Sequence, residues 1–224
     1  MIRPTTTRRP VSRPSPAPVP GAKTARGLAT QAALVRAAQK VFERDGFLDA
    51  RIVDITKTAR TATGSFYTYF KGKEEIFAAV VEALDQVGLH PPSLQFLADN
   101  HADLVADVTE HHREYLTTYH RNAKMMRVVE EVTNVSDAFM HERTARAQTW
   151  INGNRDAIRK LQKEGRADPS LDALTTARAL STMVSRAAYV TFVMEEEGAE
   201  AIDGLADTLT RLWVNALRIP LDPQ

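Results

Sequence analysis

The chain contains no cysteine, which excludes disulfide frameworks and thiolate metal sites and leaves the redox compartment unreadable. It has no long hydrophobic run either. The stretch with least charge, ALSTMVSRAAYVTFVM over residues 179–194, includes Arg186 and is shorter than the roughly 20 residues a spanning helix needs. No membrane span is expected, and the first residues lack the apolar core of a secretory signal, so the expectation is a cytoplasmic protein. Glycine never forms a dinucleotide or phosphate-loop pattern, and no nucleophile, base and orienting residue fall into a catalytic pattern. Histidines never stand four apart, so no helical pair converges on a metal. His111 and His112, beside Glu110 and near His101 and His120, are expected at the surface. An enzyme is not expected, nor a metal or cofactor.

What is present is an uneven distribution of charge. The formal net charge is only +1, yet residues 1–73 hold 14 Lys+Arg against 4 Asp+Glu, leaving 15 basic and 24 acidic residues for the remainder. A basic first third on an acidic remainder suggests that the first part meets a polyanion, most economically nucleic acid. Residues 1–22 form a basic segment with Pro4, Pro10, Pro14, Pro16, Pro18 and Pro20, too rich in proline for a helix or a packed core. It is expected to be disordered, either as an arm for DNA phosphates or the minor groove or as a solvated tail.

Beyond it the periodicity predicts an all-α protein. Leu34, Ala38, Val41 and Phe42 lie on one stripe of a first helix that stops at Gly46, a residue suited to a left-handed terminus. Ile52, Ile55 and Ala59 mark a very short second helix, and a third is predicted over residues 63–70. Lys73 opens a fourth along Ile76, Phe77, Val80, Val81 and Leu84, ahead of Gly88 and Pro91-Pro92. Two short helices about a tight turn, over residues 51–70, have the spacing of a helix-turn-helix.

Aromatic residues make up only 7% of the chain, but four of them crowd into TATGSFYTYFKGK, residues 61–73. Phe66 and Phe70 are four apart and fall on one side of a helix, where they can pack on Ile52, Ile55 and the first stripe. The other side carries Thr63, Ser65, Tyr67 and Thr68. Hydroxyls there can donate to or accept from base edges in the major groove, and a threonine methyl can touch a thymine methyl. Tyr67 and Tyr69 can reach phosphate through their phenols, Gly64 and Ala62 allow close approach, and Lys73 adds charge at the start of the fourth helix.

The ordered set VFERDGF, VDI and GSFYTYFKGKEEIF, within residues 30–84, resembles the DNA-binding domain of the TetR family of transcriptional regulators. The family commonly caps helix two with threonine or serine, where this chain has Arg51 after Ala50. It often has Gly-Val in the turn, where this chain has Arg60-Thr61. Arg51 can meet phosphate directly, with Asp49 as an alternative cap, and Arg60 demands an unusual turn conformation.

The resemblance implies a DNA-binding domain over residues 23–90 and a ligand-binding and dimerisation domain over residues 91–224. Periodicity in the second part predicts helices near residues 101–119, 125–135 and 136–164, a break at Asp168-Pro169-Ser170, and two final helices. The resemblance implies that this final pair meets its copy in a homodimer, presenting Leu180, Val184, Ala187, Leu205, Leu209, Leu212 and Trp213. It also implies a small, largely apolar molecule among the helices, for which Tyr115, Tyr119, Met125, Met126, Phe139, Trp150, Met183, Arg186 and Tyr189 are candidates. Arg186 could meet an anionic ligand or a partner acid across the dimer. Two functions remain open at this point. One is a repressor released from a pseudo-palindromic double-stranded DNA operator by its ligand; the other is a helical small-molecule-binding or interaction module without sequence-specific DNA recognition.

Overall fold

The computed structural model describes residues 24–89 and 104–219. The expected tail, His101 and the Pro91-Pro92 break lie outside the described residues. Among the described residues every regular element is a helix, as the periodicity predicts.

Helix α1, Ala25–Asp49, begins where the Thr24 hydroxyl accepts the Gly27 N–H at 3.1 Å, satisfying a donor that the first turn leaves unpaired. Its stripe of Leu34, Ala37, Ala38, Val41 and Phe42 is buried. Gly46 interrupts it with φ +73°, the left-handed conformation that glycine enters without a Cβ penalty. Helix α2 spans Ile52–Thr58 and α3 spans Thr63–Phe66. Between them Arg60 has φ +54°, the unusual turn its side chain predicts. The Arg60 N–H donates to the Lys57 carbonyl at 3.1 Å and the Thr61 N–H to the Thr56 carbonyl at 3.0 Å. These two bonds satisfy the last carbonyls of α2 and offset the left-handed cost of about 1–2 kcal/mol.

Helix α3 is shorter than predicted. After Phe66 the chain tightens: Thr68 N–H reaches the Ser65 carbonyl and Tyr69 N–H the Phe66 carbonyl, three residues back. Aromatic and β-branched residues gain little from continuing an α-helix, and the Phe70 N–H closes the last turn on Phe66. Helix α4, Lys73–Gln86, then packs on α1 through Ile76, Phe77, Val80 and Leu84.

The rest comprises α5 Leu104–Arg121, α6 Ala123–Val135, α7 Asp137–Lys163, α8 Ala173–Tyr189, a π-helical turn Val190–Met194 that prolongs α8, and α9 Ala201–Leu217. Helix α5 packs on α9, α7 on α8, and α6 reaches back to α1. Gly165, with φ +70°, follows the end of α7. The face expected to be offered by the last two helices is partly wrong. Leu180, Val184, Leu209 and Trp213 are buried in this chain's own core, while Leu212 is exposed and Ala187 and Leu205 are half-buried. Their spacing marks an apolar stripe, and spacing alone does not say whether a stripe meets its own chain or a copy.

His112 is a second correction, because it is buried completely between α5 and α9 rather than at the surface. The Thr210 hydroxyl donates to the Ala206 carbonyl at 2.9 Å, so it accepts the His112 Nδ1–H, also at 2.9 Å. That assigns the neutral tautomer and leaves Nε2 sealed without a partner among the described residues, as is Nε1 of Trp213, whose ring stands perpendicular to the imidazole at 5.1 Å. Burial, with a smaller contribution from His111, pushes the His112 pKa down to about 4. Because the unfolded chain takes up this proton near pH 6.5 and the folded chain only near 4, stability is complete above 6.5 and falls as pH drops through that window. Denaturant unfolding at pH 7 and pH 5 should show wild type losing about 2 kcal/mol more than His112→Leu; equal losses would mean that His112 is not buried neutral.

Candidate nucleic-acid interface and the cavity behind it

The outer side of α3 is built from residues that the fold itself hardly uses. Thr63, Gly64, Tyr67 and Thr68 are exposed and Ser65 is half-buried, while Phe66 and Phe70 face inward. Tyr67 is 58% exposed with its ring set edge-on to Phe66 at 5.4 Å, so the phenol is held outward by a fixed base. Thr63 Oγ1 lies 3.3 Å from the buried Thr56 Oγ1, which ties the start of α3 to α2. A Cβ added at Gly64 would meet nothing within 4 Å. Neither chain packing nor a positive φ therefore calls for glycine there, and the open space suits a close external surface. Ala62, exposed, precedes the first turn of α3.

The remaining expected DNA residues differ in how free they are. Arg51 is exposed but bound to Asp54 at 2.8 Å, and it starts α2 with no side-chain cap from itself or Asp49. Lys73 donates to the Leu48 carbonyl at 2.8 Å and sits 4.7 Å from the Phe47 ring centroid, so it clamps the end of α1. Tyr69 is 8% exposed and belongs to the core. It stands three residues after Phe66 and next to Phe70, and so shares their inward side. Lys57, Arg60 and Lys71 are exposed cations on the same head; the sequence singled out Arg60 only for its turn conformation and Lys57 and Lys71 only as part of the charge.

Behind the head, α4 forms one wall of a cavity of about 150 Å³. Phe77, Val81, Leu84 and Asp85 come from α4; Tyr115 and Tyr119 from α5; Met126, Val129 and Thr133 from α6; Phe139, Arg143, Arg146 and Trp150 from α7; and Ser185 from α8. Five of the expected ligand residues, Tyr115, Tyr119, Met126, Phe139 and Trp150, are thus brought together. Met183, Arg186 and Tyr189 do not line it, and Met125 is buried in the core. Arg186 is exposed, stacked on Tyr189 at 4.9 Å. A side chain one position around a helix points elsewhere, and the α8 register was not legible without its neighbours.

The interior is apolar with phenols set into it. Burial pushes both tyrosine pKa values up, opposed at Tyr115 by a hydrogen bond with Ser185 and at both by the positive field of Arg143. The rim is ionic. Arg143 pairs with Glu130, and Arg146 pairs with Glu142 on its own helix and with Asp85 of α4 at 3.2 Å. Sequence reading missed these arginines, although their spacing of three on α7 puts them on one face.

A small helical head with an outward hydroxyl-bearing helix, carried on a helical body with a cavity against its connecting helix, defines the class of helix-turn-helix DNA-binding regulators. The family model for bacterial regulatory proteins of the tetR family matches residues 34–80, and that for the transcriptional regulator EthR, C-terminal domain, matches residues 108–218. The chain belongs to the TetR family and is a DNA-binding transcriptional regulator. It is 27% identical over 210 residues to the HTH-type transcriptional regulator EthR of Mycobacterium tuberculosis, covering 88% of this chain and 92% of that one. Its fold resembles Salmonella enterica GusR, with TM-score 0.69 at 19% identity over 88% of this chain and 99% of that one. It also resembles the transcriptional regulator FadR of Bacillus subtilis in complex with stearoyl-CoA, with TM-score 0.67 at 13% identity over 83% and 98%. No helix of the described residues is long and apolar enough to cross a membrane.

Gly64→Ala should leave the thermal midpoint unchanged or raised, since alanine favours a helix by up to about 1 kcal/mol. It should weaken binding to DNA selected by the wild type at least tenfold in a fluorescence anisotropy titration. Unchanged DNA affinity would remove Gly64 from the interface.

Proposed function

We propose that this protein is a repressor that binds a pseudo-palindromic operator as a homodimer and is released when a small molecule fills the cavity. The observation that carries this reading is the double use of α4. Its first residue follows the recognition segment directly, its apolar face holds α1, and Phe77, Val81, Leu84 and Asp85 line the cavity. A molecule that widens the cavity has to act on the helix that carries the reading head, and any preference for one setting of α4 becomes a preference between DNA-bound and free forms. The stearoyl-CoA complex of FadR is a fold neighbour holding a ligand, which supports a ligand role for the helical body here.

In this reading Thr63, Ser65, Tyr67 and Thr68 read base edges, with Arg51, Lys57, Arg60 and Lys71 on phosphates. The dimer forms through the outward side of α8 and α9, where Leu212 is exposed beside half-buried Leu205 and small residues such as Ala179, Gly204 and Ala216. Two copies then place two heads on successive major-groove half-sites.

Selection of genomic fragments by the purified protein at near-physiological salt should enrich a short inverted repeat. Ser65→Ala should change the base preference within it, and Lys71→Ala should weaken all sequences alike and reduce the salt slope by about one ion. Binding without sequence preference that vanishes as salt rises would leave an interaction module instead. Leu212→Glu, at a side chain 47% exposed in the single chain, should keep the helical circular dichroism spectrum but sediment as a monomer. A variant that remains dimeric would move the interface elsewhere.

A further inference from the structure

The cavity is lined by a phenol, that of Tyr119, for which the described residues supply no hydrogen-bond partner. Tyr119 is 3% exposed and lines the cavity, and among the described residues no hydrogen bond holds its hydroxyl, while Ser185 stands close enough to the neighbouring Tyr115 phenol to oppose the rise in its pKa. The Tyr119 oxygen is not sealed into the core either. Among the described residues the sealed and unpartnered side-chain atoms are His112 Nε2 and Trp213 Nε1, so the Tyr119 oxygen opens onto the cavity. A buried hydroxyl without a partner is costly, and one facing a cavity can be satisfied by whatever enters.

Charge and size narrow what that can be. The rim guanidiniums of Arg143 and Arg146 are already engaged by Glu130, Asp85 and Glu142, so a carboxylate ligand would have to displace a carboxylate of the chain. The same pairing holds the rim carboxylates, so a cation would likewise have to displace a guanidinium to find a counter-charge, and the fields of Arg143 and Glu130 oppose each other at Tyr119. A volume of about 150 Å³ is that of a cavity which accepts a benzene-sized molecule. The walls that close on it, Phe77, Phe139, Trp150 and the two tyrosines, are aromatic, and ring edges and faces prefer one another at such distances.

We propose that the cavity takes a compact, uncharged, ring-bearing molecule whose hydrogen-bond acceptor receives the Tyr119 hydroxyl. This rests on the cavity being the effector site. Three isosteric probes separate the classes: acetophenone, with a ring and a neutral carbonyl; benzoate, the same size but anionic; and ethylbenzene, without an acceptor. Their affinities for the full-length protein are measured by ligand-observed NMR titration up to millimolar concentration, for wild type and Tyr119→Phe. Acetophenone should bind at least tenfold more tightly than benzoate. Tyr119→Phe should weaken acetophenone about tenfold and leave ethylbenzene unchanged, with no loss of thermal stability, because the removed hydroxyl has no partner among the described residues.

Benzoate binding as tightly as acetophenone, a Tyr119→Phe effect equal for acetophenone and ethylbenzene or absent for both, or no binding of any probe would each overturn the proposal. Acetophenone that binds as expected but fails to loosen the protein from its selected DNA would leave the ligand class standing and remove the effector role.

Discussion

The ring of Phe77 joins the parts of this molecule that must communicate. It is fully buried and stands 5.4 Å from Phe42 and 5.0 Å from Phe47 on α1, both nearly edge-on, and 5.0 Å from Phe139 on α7, almost perpendicular. It also lines the cavity. Each such pair contributes about 0.5–1.5 kcal/mol beyond simple burial, and emptying the site would cost about 3–5 kcal/mol, a large part of the stability of a typical domain. The head therefore has no core that is independent of the body. Whatever displaces Phe77 from one side disturbs the contacts that seat α4 on α1 from the other.

The remaining ties decide which element yields. Helix α1 is held to the body by α6 and by the Gln39 amide donating to Asn122 at 3.4 Å. Its far end is clamped by Lys73, through the Leu48 carbonyl and the Phe47 ring. On the body side α4 is tied through the partly exposed Asp85–Arg146 ion pair, and pairs of that kind contribute about 0–1 kcal/mol. Allosteric coupling is typically 1–3 kcal/mol, so loosening one ring pair and one rim ion pair is of sufficient size. The core around Phe42 and Ile55 can stay intact while α4 shifts.

Much of this was legible in the sequence because it depends on local rules. The α1 stripe from Leu34 to Phe42, the left-handed residue at Gly46, the strained turn at Arg60 and the inward pair Phe66 and Phe70 all follow from periodicity and backbone chemistry, and the structure bears them out, although Gly46 kinks α1 rather than ending it. What was not legible depends on neighbours distant in sequence. Tyr69 is the exception: it was assigned to phosphate on its phenol, although it stands three residues after Phe66 and shares the inward side of Phe66 and Phe70. His112 looked like one of a surface group until Thr210 and Trp213, about a hundred residues away, enclosed it. Among the cavity candidates, Tyr115, Tyr119, Met126, Phe139 and Trp150 were found by residue type. Those on α8 were not, because only Ser185 of that helix meets the cavity.

Helix α5 shows how similar polar irregularities acquire different meanings. His112 and Tyr119 are seven residues apart and share its inward face. Among the described residues both carry a polar atom, His112 Nε2 and the Tyr119 hydroxyl, with no hydrogen-bond partner. At His112 the unpaired Nε2 is sealed by α9, so only unfolding exposes it, and its cost acts on stability. At Tyr119 the same helix passes over the cavity, so the cost can be relieved without unfolding by a molecule that supplies an acceptor. Sealing is what separates a structural burden from a recognition element. Because the open group lies beside Tyr115 in a cavity that Phe77 and Phe139 also line, satisfying it draws a ligand into the space bounded by α4.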